Sequence, residues 1–126
     1  MRAATLLRVA ADWQDRPFSY GVADCCQFAR HLVREMTGHD YGAEWQYSSE
    51  KEAQTIIQQH GGLEPLISSY LGPSVAPSAL RVGDLCLVTA PNFEMMGARS
   101  GSGAYVPSSG GIVVARAHRI AKGWMI

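Results

Sequence analysis

The sequence predicts an α+β domain in which helices come first and strands follow. Two observations carry this. Apolar residues recur at helical spacing through the first seventy residues, in segments bounded by glycine or proline. After the stretch PSVAPSA at 73–79 the pattern changes to short runs of aliphatic and β-branched residues. The length of 126 residues and mass of 13.7 kDa fit one domain, residues 1–126, around one core. With 47% hydrophobic and 17% charged residues, that core is substantial and disorder is excluded as the ground state.

Leu6, Val9, Ala10 and Trp13 define a first amphipathic helix over 3–14, ending before Pro17. The turn-forming stretch RPFSYGVAD leads to Asp24, a good N-cap. Cys25, Phe28, Ala29, Leu32, Val33 and Met36 then repeat at the spacing of one helix face, with Gly38 as the stop. HDYGAEWQYSS lacks periodicity and reads as a loop. Ser49 with Glu52 forms a capping box for a third helix through Ile56, Ile57 and His60, closed by Gly61-Gly62. Leu63, Leu66, Ile67, Tyr70 and Leu71 make a fourth, with Pro65 in its first turn and Gly72-Pro73 behind it. VGDLCLVTA reads as a strand entered through a Gly-Asp turn, GIVVARA at 111–117 as a second and RIAKGWMI as a short third. The twenty residues between, 91–110, are dense in Gly and Ser and read as a long functional or mobile loop.

Eleven Lys and Arg balance eleven Asp and Glu, so no long-range field favours nucleic acid or an anionic membrane surface. Arg8 and Asp12 interrupt the N-terminal apolar stretch, which argues against a signal peptide and membrane insertion and predicts synthesis in the cytoplasm. Three cysteines, two of them adjacent, are expected to be free thiols. A metal site is not expected, because no Cys-x2-Cys spacing occurs, and nothing in the sequence calls for a cofactor.

Cys25 begins the clearest helix. The N–H groups and positive dipole end of a helix start favour a thiolate, and the amides of Cys25 and Cys26 can serve an oxyanion formed when Cys25 attacks an acyl carbon. Position alone favours the plainer reading of Cys25 and Cys26 as small core residues over a nucleophile. Cys86, alternating with Leu85 and Leu87, is expected to be buried. Asp84 reads as a turn residue. Trp45, Tyr41 and Tyr47 read as the lining of a groove or partner interface.

RPFSYGVADCCQFAR resembles the approach to the nucleophile helix of NlpC-type cell-wall peptidases, where an aromatic-glycine turn leads to Asp-Cys and an apolar helix. LRVGDLCLV is similar to that family's first core strand. Together these cover residues 16–37 and 80–117, and the order Arg-Pro-Phe, Asp-Cys-Cys, Gly-Asp resembles a short phage-encoded subgroup of unknown function. The resemblance implies a papain-like fold, its helices packed on a small antiparallel sheet, with Cys25 as nucleophile. It also implies a place in the virion at a phage tail tip, against tail-tip or hub proteins, with peptidoglycan as the substrate class. The family's catalytic histidine opens the second core strand. With 111–117 taken as that strand, Ser109 stands in its stead, Ala121 falls where a polar residue orients the histidine, and Phe18 replaces a tyrosine.

The expected role is therefore a structural tail component with a degenerate peptidase site. The alternative is an active cysteine peptidase that cleaves peptidoglycan stem peptides, and a cytosolic thiol-dependent amidase or acyltransferase is a third. An active enzyme needs a base. His31, six residues after Cys25, lies roughly 240° around the helix and cannot meet it. His60 reads as a helix C-terminal residue, and His39 lies in a loop that spacing does not place. His118, at the end of the second predicted strand, is the remaining candidate base, although it lies roughly 30 Å of extended chain beyond the usual histidine position.

Overall fold

The computed structural model describes residues 2–126. Helices α1 (Arg2–Trp13), α2 (Cys25–Thr37), α3 (Glu50–Gln59) and α4 (Leu63–Leu71) precede strands β1 (Leu85–Ala90), β2 (Phe93–Arg99), β3 (Gly103–Ser108), β4 (Gly111–Arg116) and β5 (Ile120–Trp124). Short 3-10 turns, Pro77–Ala79 and Ala117–Arg119, come before β1 and β5. All strand pairs are antiparallel, in the order β4-β3-β2-β1-β5, so the domain is α+β.

The helices form for the reasons their sequences suggest. Asp24 caps α2 by accepting the Gln27 N–H, and the Gly38 N–H closes its end on the Arg34 carbonyl. The apolar face of α2, Phe28, Ala29, Leu32 and Val33, is fully buried and packs on β2. Leu6, Val9 and Trp13 of α1 and Leu63, Leu66 and Ile67 of α4 complete the helical side of the core. Ser49 caps α3 by accepting the Glu52 N–H, while the Glu52 carboxylate reaches back to the Ser48 N–H. No residue of α3 is fully buried, but Ile56 and Ile57 lean on the core.

One sheet face, with Leu85, Leu87, Met96, Ala98 and Trp124, joins the helices in the main core. The opposite face carries a smaller cluster of Cys86, Val88, Ala104, Val106 and Ile120. The alternation read in VGDLCLVTA does not mark one buried face, since Leu85, Cys86, Leu87 and Val88 are all buried, on the two faces of the sheet. Cys86 is fully buried, as expected, and burial pushes its thiol up to about 12.

The expected long loop at 91–110 is instead two strands, β2 and β3, joined to each other and to their neighbours by short turns. Its glycines are misleading because they sit where strands approach closely. A Cβ at Gly103 would collide with the Ala115 carbonyl oxygen, and one at Gly97 would lie 2.7 Å from the Tyr105 carbonyl oxygen. The second predicted strand, 111–117, is observed as β4, and Ser109 lies in the exposed turn between β3 and β4 just before it.

Asp84 does more than close a turn. Its buried carboxylate accepts from the Arg81 N–H (2.8 Å), the Ile126 N–H (3.0 Å) and the Arg2 guanidinium (2.5 Å). Arg2 also donates to the Ile126 carbonyl at 2.6 Å, so the first helix, the start of β1 and the last residue converge on one charge.

On the other side of the helical layer, the Trp13 indole N–H donates to His31 Nδ1 at 2.7 Å. Indole is a donor only, so this bond needs an unprotonated Nδ1. Burial, then Arg34, lowers the His31 pKa. A group whose folded pKa is lowered contributes stability that is complete above its unfolded value of about 6.5 and is lost as pH falls below it. The melting temperature should therefore drop between about pH 7 and pH 5, and the drop should be smaller in His31→Asn, whose amide oxygen accepts the indole N–H at either pH. Equal pH profiles in a thermal melt would refute this.

Candidate active site

The turn before α2 is built around the Asp24 carboxylate. Besides the Gln27 N–H at 2.9 Å, it accepts the Gly21 N–H at 2.8 Å and the Tyr47 hydroxyl at 2.6 Å. Gly21 has φ +84°, and a Cβ there would collide with the Tyr47 carbonyl oxygen, so the turn and the Tyr47 loop can close on each other only around glycine. Asp24 is thus an N-cap, as read from the sequence, and also the post to which Tyr47 is tied.

Immediately after it, Cys25 and Cys26 occupy the first two positions of α2 and line a cavity of about 320 Å³. Phe18 and Tyr20 come from the turn, Tyr47 from the loop, Glu50, Ala53, Gln54 and Ile57 from α3, Phe93, Glu94 and Met95 from β2, and Pro107 from β3. The mouth exists because β2 and β3 part. Their register comprises only Ala98↔Tyr105 and Arg99↔Ala104, whereas β1 pairs with β2 over six residues. Continued by two more residues, the β2–β3 ladder would set Met96 opposite Pro107, which has no N–H to donate.

The freed Met96 amide turns to the thiol. Hydrogen bonding from the Cys26 thiol first, and from the Met96 and Cys26 N–H groups, favours the ionised Cys25 and lowers its pKa despite burial and the nearby Asp24 charge. Cys26, the donor of the pair, is pushed well up, first by that hydrogen bond and then by burial. The thiols therefore divide the roles, with Cys25 the one disposed to ionise. Tyr20 is also raised, by burial first and then by the charges of Glu50, Cys25 and Asp24.

None of the four histidines lines this cavity. His31 is held by Trp13, and His60 Nδ1 contacts the Ile56 carbonyl at 3.0 Å. His39 lies in a separate hollow with Asp40 and Tyr70. His118, the candidate base, is exposed in the 3-10 turn on the connection from β4 to β5. Those strands are the two edges of the sheet, so the connection crosses the face remote from α2, where His118 lines a hollow with Val88 and Val106. It does not line the Cys25 cavity, so the structure does not bring the expected base to the thiol. Ser109 does not line the cavity either.

Of the aromatic residues expected in a groove, Tyr47 lines the cavity. Tyr41 and Trp45 pack with Tyr70, and the Trp45 indole N–H donates to the Tyr70 hydroxyl at 3.1 Å. Sequence reasoning missed Glu50, Glu94 and the Met96 amide. Pro107 inside an otherwise strand-like run was the available signal, because a proline there interrupts pairing.

The sequence matches one family along residues 1–126. The chain belongs to DUF6950, a domain of unknown function. A search of curated proteins found no match. In this DUF6950 domain no group of three or more His, Cys, Asp or Glu among the described residues is arranged to hold a metal ion. Nor is any helix among them long and apolar enough to cross a membrane.

Two outcomes test the geometry. Asp24→Ala should cost on the order of 2–4 kcal/mol in urea unfolding, because it removes a cap and leaves two further donors unpaired, whereas Tyr47→Phe should cost about 1 kcal/mol. Comparable losses would show that the carboxylate is not the hub. In wild type the pH midpoint of Cys25 alkylation should lie below the free-thiol value of about 8.5, and Cys26→Ala should raise it by removing the strongest donor. An unchanged midpoint would dismiss the thiol–thiol bond.

Proposed function

We propose that this DUF6950 chain is a papain-like domain of the NlpC type, carried in a phage or prophage tail tip as a structural component whose former hydrolytic cleft binds without cleaving. The observation that supports it is the cavity's composition. A cysteine at a helix start faces an antiparallel sheet, as the resemblance implies, yet no imidazole reaches it.

The family's histidine opens the second core strand. Counted in chain order the second strand of this sheet is β2, and its cavity-lining residues Phe93, Glu94 and Met95 include no histidine. A thiolate nucleophile without an imidazole loses the proton donor that the leaving amine requires, and general acid–base catalysis commonly contributes 10²–10⁴-fold. A bound acyl compound would thus be turned over about 10²–10⁴-fold more slowly than with an imidazole in reach.

One observation favours the second reading, an active peptidase with Cys25 as nucleophile: the donors that lower the Cys25 thiol also prepare it for attack. Incubation with purified peptidoglycan separates the two readings. The structural role predicts no release of soluble peptides above the Cys25→Ala background. The enzymatic one predicts release that Cys25→Ala abolishes and Cys26→Ala largely keeps. Mass spectrometry of purified particles tests the location, since a tail-tip component must co-purify with tails; a chain confined to the host cytoplasm would exclude that role.

A further inference from the structure

We propose that the Cys25 cavity selects cationic, amine-bearing ligands with an apolar body, and that Glu50 and Glu94 do the selecting. The lining contains three carboxylates, Asp24, Glu50 and Glu94, and no Lys, Arg or His. Asp24 is committed to Gly21, Gln27 and Tyr47. Glu50, in the first turn of α3, and Glu94, near the start of β2, come from different walls, and neither has a hydrogen bond or ion pair among the described residues. They contrast with Glu35, Asp40 and Glu64, which are held by Arg8, Arg30 and Lys122.

The rest of the wall is apolar and aromatic. Phe18 and Tyr20 meet edge to face at 5.0 Å, and Phe93 is exposed at the rim. Aromatic faces beside unpaired carboxylates attract a cation twice over, by charge and by the ring quadrupole. The Tyr20 phenol is raised by burial first and then by the charge of Glu50, which faces the same cavity. A protein without net charge thereby presents a locally acidic mouth over its most ionisable thiol.

The inference rests on the reading of this cavity as a ligand site, but not on whether hydrolysis survives. Three methanethiosulfonates of similar size test it, carrying a trimethylammonium, a neutral alkyl and a sulfonate group. In each case the Cys25 thiolate attacks the thiosulfonate sulfur, a mixed disulfide forms, methanesulfinate leaves and the thiol proton goes to buffer. Rates on the full chain are divided by those for 2-mercaptoethanol, and mass spectrometry assigns the label to Cys25 against Cys25→Ser.

The corrected cation-to-anion rate ratio should be on the order of tenfold or more in dilute buffer and fall several-fold at about 0.5 M salt. Glu50→Gln and Glu94→Gln should each lower it about threefold, a ratio in which any change in thiolate fraction cancels, while an unaltered circular dichroism spectrum shows that the variants fold. A ratio near one, or one that neither variant moves, overturns the charge selection and leaves the ligand-site reading intact. Failure of all three reagents to label Cys25 in the folded protein overturns both.

Discussion

The Asp24 carboxylate is the contact on which the site depends. Three donors from three places in the chain meet it: a turn amide, a helix amide and a phenol from the loop before α3. Each alone is an ordinary hydrogen bond, but together they decide where α2 begins, how the turn before it folds and where Tyr47 stands. The cost is electrostatic, since a carboxylate one residue before Cys25 disfavours a thiolate. The domain offsets that charge with hydrogen bonds to the sulfur. The anionic cap and the ionisable thiol coexist because the donors at Cys25 outweigh both Asp24 and burial.

One of those donors, the Met96 amide, depends in turn on an interruption in the sheet. Had β2 and β3 remained paired past Ala98, the Met96 amide would have been available to the ladder rather than to sulfur. One proline without an N–H ends the pairing where α2 presents its first turn. Cavity and amide donor thus share one cause. The same sheet, through its edge-to-edge connection, carries His118 to the opposite face and leaves Cys25 without an imidazole. The site retains the groups that favour an anionic sulfur and lacks the group that would complete proton transfer, which is the physical basis for reading it as a binding cleft.

Charge is arranged on the same plan. The basic residues that balance the acidic ones are largely spent on ion pairs away from the cavity, Arg2 with Asp84 and Arg30 with Asp40 among them. What remains around Cys25 is acidic and aromatic. Net neutrality excludes a long-range field but says nothing about a mouth lined by two exposed carboxylates without a cationic partner, whose attraction acts over short distances and weakens with salt.

The sequence by itself determined the four helices, their caps and the placement of Cys25 at a helix start. These are local properties, since periodicity and capping involve residues no more than about four apart. Only the tertiary structure decided that 91–110 forms strands, because Gly97 and Gly103 read as loop residues until the backbones that crowd them are known. It likewise decided that the strand facing Cys25 is β2 rather than β4, that His118 and Ser109 lie away from the thiol, and that Glu50 and Glu94 converge on it. Which strands lie side by side is settled by burial and backbone pairing across dozens of residues, and no local pattern encodes the result.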